Sequence, residues 1–232
     1  MQKVAIVTAA SMGMGKACAI ELIQSGYKVV IMSRGEQILE VAKSIGADGL
    51  QGSITCSDDI KALVEFTMSK HGRVDGVVNN AGYIAKGELF ELSDENWHEG
   101  LDIVIGSVNT MLKLVTPIFQ AQGGGSVVNI STFAAFEPSP VFPISACMRA
   151  ALGSYIKLYA DKYAKDNIRI NNVLPGFVDS KPVHEKFLKD IPMERYGKVE
   201  EIAKTVRFLL SDDASYTIGQ NIRVDGGITR SV

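Results

Sequence analysis

Cysteine is scarce in this chain: Cys18, Cys56 and Cys147 are the only three among 232 residues. They are odd in number and far apart, which excludes a disulfide framework and the paired spacing of a zinc site. No metal is expected, and a reducing, cytoplasmic compartment is. Long apolar runs are also missing, since none approaches the roughly 20 residues a membrane span requires. The first strand pattern begins at Lys3 with no signal peptide before it, so no membrane partner is expected. Charge of one sign is absent too. The 24 Lys and Arg residues nearly balance 26 Asp and Glu, and a net charge of -2 gives no electrostatic reason to expect nucleic acid or an anionic membrane as partner. There is no internal repeat, linker or low-complexity segment.

What the chain does have is a globular composition, 46% hydrophobic and 22% charged, at a length that suits one domain over residues 1–232. Short apolar runs alternate with amphipathic segments. Strands are predicted at Lys3–Thr8, Lys28–Met32, Asp48–Gly52, Val74–Asn79, Ser126–Ile130, Ile168–Leu174 and Asn221–Val224. Helices are predicted at Gly13–Gln24, Gly35–Ser44, Ser57–His71, a long one capped by Ser93 and running to about Gln120, Ile144–Tyr163 and Val199–Leu210. Strand–helix alternation with right-handed crossovers gives an α/β fold: a doubly wound, seven-stranded parallel sheet flanked by helices.

Three glycine-bearing turns fall at carboxyl ends of these strands, where open α/β sheets bind ligands. Thr8-Ala9-Ala10-Ser11-Met12-Gly13-Met14-Gly15 joins the first strand to the first helix. Gly13 and Gly15 permit backbone to approach a pyrophosphate there, with the helix N-terminus aimed at the anion. Asn79-Asn80-Ala81-Gly82 closes the fourth strand and Pro175-Gly176 the sixth. With VVNIS at 127–131, NNVLPGFVDS at 171–180 and the C-terminal Val224-Asp225-Gly226-Gly227, these segments resemble the short-chain dehydrogenase/reductase superfamily from Lys3 to the C-terminus.

The resemblance implies a single Rossmann-type domain binding NAD(P). Thr8, Ser11, Gly13, Met14 and Gly15 would line the pyrophosphate, Asn79, Ala81 and Gly82 would neighbour the adenosine ribose, and Pro175, Gly176 and Val178 would flank the nicotinamide. Ala9 departs from the family's usual glycine and crowds the turn if that residue needs positive φ. Cofactor choice is read after the second strand, which ends Met32-Ser33-Arg34. Ser33 removes the acid that would repel a 2′-phosphate, and Arg34 can pair with that phosphate, which favours NADP(H) over NAD(H); the competing reading makes Arg34 the start of a solvated loop. Ser53 stands where relatives carry an acid near the adenine.

The catalytic positions depart further. Relatives use a tyrosine as proton donor, a lysine four residues later, a serine that polarises the carbonyl and an asparagine that anchors a relay water. Anchored on Val128-Asn129-Ile130 and Ala150-Ala151-Leu152-Gly153, these positions carry Ser145, Arg149, Thr132 and, counted from Trp97, Val104. Thr132 keeps the polarising hydroxyl. Arg149 keeps the positive charge and can bond cofactor ribose hydroxyls, but a guanidinium cannot relay protons. Ser145 is shorter and a far weaker acid than a phenol.

Other groups offer themselves as substitutes or pocket walls. His184 follows Pro175-Gly176, in a short lid spanning Lys181–Pro192, and reads either as a substitute acid or as an exposed loop histidine. Tyr83 can overhang the cofactor. Glu137 sits on a Pro-rich loop, and Tyr155 and Tyr159 lie deeper in the helix. Cys147 reads as helix packing. Phe133, Phe136, Phe142 and Phe177 would wall an apolar pocket.

The sequence thus predicts an NADP(H)-dependent oxidoreductase acting on a small carbonyl or alcohol through an atypical site. The alternatives are a catalytically impaired nucleotide-binding sensor or partner subunit, and a purely structural subunit. The resemblance also implies a homo-oligomer, tetramer or dimer, with the two long helices packed across subunits.

Overall fold

The computed structural model describes residues 2–180 and 182–231; Met1 and Val232 of the expected domain, and Lys181 of the expected lid, lie outside the described residues. Seven strands form one parallel sheet: β1 (Val4–Thr8), β2 (Lys28–Ser33), β3 (Asp48–Gln51), β4 (Gly76–Asn79), β5 (Gly125–Ile130), β6 (Ile168–Pro175) and β7 (Asn221–Val224). Their order is β3-β2-β1-β4-β5-β6-β7. The order reverses between β1 and β4, and that switch point opens a crevice beyond the strands' carboxyl ends.

The helices are α1 (Gly13–Gln24), α2 (Ile38–Ile45), α3 (Ser57–His71), α4 (Asp94–Leu101), α5 (Ser107–Gln122), α6 (Pro143–Tyr163), α7 (Glu185–Leu188) and α8 (Val199–Leu210). Period-two alternation along β1 divides the core between the two faces of the sheet. Ile6 packs in the layer with Leu63, Met111 and Ile156, from α3, α5 and α6. Ala5 and Val7 pack opposite with Leu22, Ile38 and Val206, from α1, α2 and α8.

Most predicted boundaries agree to within one or two residues. The helix expected from Gly35 begins instead at Ile38. The long helix expected from Ser93 to Gln120 is interrupted. Ser93 does cap it, its hydroxyl accepting from Asn96 N while Asn96 Oδ1 accepts from Ser93 N, both at 3.3 Å. Between α4 and α5, however, Asp102–Gly106 is a π-helical segment. The continuous run Asp94–Gln122 is long and apolar enough to cross a membrane by length and composition alone. Its residues Val108, Met111, Leu112, Val115 and Phe119 are buried in the core instead.

Candidate active site

The turn after β1 is held closely against the end of β4. Ala9 adopts φ 49° and Gly13 φ 56°, so the position where relatives carry glycine does require left-handed backbone here. The turn is clipped to the end of β4: Asn80 Nδ2 donates to Ala9 O at 3.0 Å, and Thr8 Oγ1 donates to Asn80 O at 2.7 Å while accepting from Asn80 N at 2.9 Å. A Cβ on Gly15 would stand 2.6 Å from Asn80 Nδ2 and 2.7 Å from Ala9 O. Gly15 is thus a packing glycine that lets α1 press against the turn. Gly13 leaves room where a Cβ would meet Ser180 Cβ at 3.3 Å.

Two clefts open at this edge and share Gly82 and Tyr83. One is lined by Ala9, Ser11, Met12, Ser33, Arg34, Ser53 and Thr55, with Glu99 and Ile103 opposite. The backbone of Arg34 is pinned by Gln51 Nε2, which donates to its carbonyl at 2.9 Å. Its guanidinium has no carboxylate partner among the described residues. Ser33 Oγ is buried without a hydrogen-bond partner, a costly state for a hydroxyl unless a ligand completes it. A Gly-rich turn at a helix N-terminus, an orphaned hydroxyl and an unpaired arginine all fit a phosphorylated nucleotide.

The second cleft collects Met14, Thr132, Ser145, Arg149, Gly176 and Val178. Thr132 Oγ1 accepts from Ala134 N at 3.4 Å, which leaves its proton free to donate. Ser145 and Arg149 lie one turn apart on α6, and Arg149 Nε donates to Ser145 Oγ at 3.3 Å. Arg149 Nη1 donates to Ile130 O at the end of β5. Arg149 is 8% exposed, and burial pulls its guanidinium down to about 10, so it remains cationic at neutral pH.

The remaining cofactor candidates lie behind the clefts rather than on them. Thr8 and Pro175 are buried at strand ends. Asn79 and Ala81 border a small pocket with Val104, Ser107, Asn129 and Arg149. Val104 falls on the π-helical segment and has no side-chain amide with which to hold a water.

Behind this wall runs an arrangement that the sequence reading did not find. Asn79 Nδ2 donates to Asn129 Oδ1, Asn129 Nδ2 to Asn172 Oδ1, and Asn172 Nδ2 to Asn221 Oδ1, each at 2.8 Å. These four residues are register partners across β4, β5, β6 and β7. Each buried amide meets its neighbour's need, and Asn79 Oδ1 is left at the crevice end. Only the strand register could have revealed the ladder.

The secondary candidates separate clearly. His184 lines the second cleft beside Tyr196, whose hydroxyl accepts from His184 N at 3.2 Å. Tyr83 borders both clefts and is exposed. Phe133, Phe142 and Phe177 wall the pocket, but Phe136 turns outward beneath Arg223, 4.7 Å from the ring centroid. Glu137 is occupied elsewhere, accepting from the backbone N–H groups of Arg230 and Ser231 and so tying down the C-terminal segment. Tyr155 donates to Asn109 Oδ1 at 2.9 Å and Tyr159 pairs with Thr116 at 2.6 Å, both away from the cleft. Cys147 is exposed on α6 and packs no core. Lys86, Phe187 and Tyr196 are cleft residues that sequence pattern did not mark.

Comparison with known proteins agrees with this geometry. A family model described as enoyl-(acyl carrier protein) reductase matches residues 8–229. The chain is 34% identical over 242 residues to a 3-oxoacyl-[acyl-carrier-protein] reductase FabG of Thermotoga maritima, covering 97% of each protein. It is 35% identical to dehydrogenase/reductase SDR family member 4 of Caenorhabditis elegans, covering 97% of this chain and 95% of that protein. Among solved structures, L-sorbose reductase from Gluconobacter frateurii, complexed with NADPH and L-sorbose, superposes with a TM-score of 0.94 at 28% identity, over 100% of this chain and 98% of that one. YwfH, an NADPH-dependent reductase involved in bacilysin biosynthesis, superposes at 0.93 with 26% identity over the whole of both chains. The chain belongs to the short-chain dehydrogenase/reductase family of NAD(P)-dependent oxidoreductases.

Proposed function

We propose that this protein is an NADP(H)-preferring reductase of a small carbonyl compound, or a dehydrogenase of the corresponding alcohol, working without a tyrosine acid. The observation that carries the reading is the meeting of Thr132, Ser145 and Arg149 on one cleft, adjoining a second cleft that holds Ser33 and Arg34. Two of the structural neighbours are described as NADPH complexes or NADPH-dependent, which supports the choice of cofactor. Ser11, Ser33 and Arg34 would hold its adenosine phosphate end, and Met14, Gly176 and Val178 its nicotinamide end. When bound, the cofactor supplies the hydride.

The chain's own groups do the rest. Thr132 Oγ1, already accepting from Ala134 N, donates to the substrate oxygen. Arg149 contributes a fixed positive charge in a partly dry cleft, where charge stabilisation exceeds its value in water. Its Nε holds Ser145 Oγ with the serine proton free to point at substrate. The proton that ends on the product oxygen comes from solvent or from His184, since neither Ser145 nor Arg149 can release one at neutral pH.

The protein is expected to act as a cytoplasmic homo-oligomer on a small molecule. Its three cysteine thiols, none in a disulfide, suit a reducing compartment.

Titration with NADPH and NADH tests the first half of the reading, and a carbonyl screen with Thr132→Ala and His184→Ala tests the second. Tighter NADPH binding and turnover that falls in Thr132→Ala are expected. Cofactor binding with no turnover of any carbonyl would instead favour a nucleotide-sensing subunit.

A further inference from the structure

The second cleft is chemically one-sided. Thr132 presents a hydroxyl whose oxygen already accepts from Ala134 N, and Ser145 one whose oxygen accepts from Arg149 Nε. Arg149 commits Nε to Ser145 and Nη1 to Ile130 O, while its Nη2 group has no partner among the described residues. These three donor groups line one cleft and give their remaining protons to no protein acceptor among the described residues. The charge balance runs the same way. Among the described residues lining this cleft there is no aspartate or glutamate, whereas Arg149 borders it as a buried cation. Lys86 Nζ lies 4.6 Å from the Phe142 ring centroid. No ion pair to Arg149 occurs among the described residues, although it is 8% exposed.

A buried guanidinium without an anion is unfavourable, and a carboxylate can both balance its charge and accept from the N–H groups left at Nη2. The cofactor's phosphates do not meet this need, because Arg149 borders the cleft of Thr132 rather than that of Ser11 and Arg34, and the ribose hydroxyls that Arg149 can bond carry no charge to balance it. The opposite wall is aromatic. Phe177 stacks on Phe187 at 4.5 Å and lies 5.5 Å from Tyr196 and 5.6 Å from Phe133.

We infer that the substrate is an organic anion: an oxo acid, or the matching hydroxy acid, whose carboxylate pairs with Arg149 and whose apolar or aromatic body lies against Phe133, Phe177 and Phe187. This rests on the oxidoreductase reading above and narrows its substrate. In the reductive direction R–CO–COO⁻, NADPH and a proton give R–CH(OH)–COO⁻ and NADP⁺. A C–H bond forms at the carbonyl carbon, the C=O π pair moves to oxygen beside Thr132, and that oxygen takes a proton from water.

The test uses the full-length protein saturated with NADP⁺. Calorimetry measures the binding of benzoate, phenylacetate, phenylpyruvate and phenyllactate against their primary amides, and the same pairs are assayed for turnover with NADPH or NADP⁺. The carboxylates should bind about tenfold or more better than the amides. Arg149→Gln should erase that discrimination and Arg149→Lys should keep part of it, each with NADP⁺ binding checked separately so that lost cofactor affinity is not mistaken for lost anion selection. Amides that bind as well as every carboxylate overturn the inference while leaving the oxidoreductase reading intact. Failure of the wild type to bind either nucleotide strikes that reading instead, and this inference with it.

Discussion

Replacing Ala9 by glycine should stabilise the protein, against the usual effect of adding a glycine. Ala9 holds φ 49° in the turn between β1 and α1. An L-residue with a Cβ gives up about 1–2 kcal/mol in that region relative to glycine. The substitution also loosens the unfolded chain, which offsets about 0.4–1 kcal/mol. The carbonyl that accepts from Asn80 Nδ2 and the Ala10 N–H that donates to Met32 O are backbone groups and survive the change. A net gain of about 0.5–1 kcal/mol is left, and at about 2–4 °C per kcal/mol for a domain of this size Tm should rise by about 1–4 °C. Calorimetric melts of the wild type, Ala9→Gly and Ala9→Val, without added nucleotide, would read this directly. The valine should lower Tm, because a β-branched side chain is worse still at positive φ. A glycine variant that melts at or below the wild type would refute the reasoning, since it would mean that the Ala9 methyl contributes more by packing than it costs in backbone strain.

Four further outcomes are expected. Arg34→Ala should weaken NADPH binding by about 10- to 100-fold, the value of a charge-assisted hydrogen bond, and leave NADH nearly unchanged; equal losses for both nucleotides in a fluorescence titration would count against a 2′-phosphate contact. Gly15→Ala should destabilise by about 1–3 kcal/mol, because its Cβ would stand 2.6 Å from Asn80 Nδ2 and 2.7 Å from Ala9 O; an unchanged melt would show that α1 can withdraw freely. The double change Ser145→Tyr with Arg149→Lys should raise kcat on a simple neutral ketone by up to about 10²-fold, the lower range of general acid catalysis; a flat or reduced rate, with NADPH binding retained, would show that the cleft cannot seat a phenol. Light scattering should give a mass at a multiple of 25.0 kDa, and a monomer would remove the expected oligomer.

The order of strands and helices is legible in the sequence because period-two and continuous β-branched runs alternate with helical ones, and both turn and cap residues mark their ends. Ser93 announces α4 and its hydroxyl performs the cap. The π-helical stretch Asp102–Gly106 is not legible, since one extra residue in a turn leaves the apolar spacing almost unchanged. The clefts were recovered where a motif sits at a strand end, as with Ser33, Arg34 and Thr132. They were missed where a side chain arrives from a distant segment, as with Glu99 and Tyr196. Phe136 and Glu137 were misjudged for the opposite reason: they adjoin the site in sequence, but the loop turns them toward Arg223 and the C-terminal segment. The asparagine ladder needs the pairing of four strands before it exists at all.

The replacements at 132, 145 and 149 form one physical unit rather than three independent losses. A phenol and an ammonium can pass a proton along a chain. A hydroxyl held by a guanidinium cannot, but it adds fixed donors where negative charge develops. One preorganised donor of that kind is worth about 2.7–4 kcal/mol in acyl-transfer enzymes, while general acid catalysis at about 10²–10⁴-fold corresponds to about 3–5.5 kcal/mol. The two are of similar size, so an Arg149 cation beside the substrate oxygen can offset much of what the missing phenol would supply. A substrate carboxylate paired with Arg149 would commit that cation to binding, so its compensation of the missing phenol is greatest for a neutral carbonyl, and for an anionic substrate Thr132 carries more of the stabilisation at the reacting oxygen.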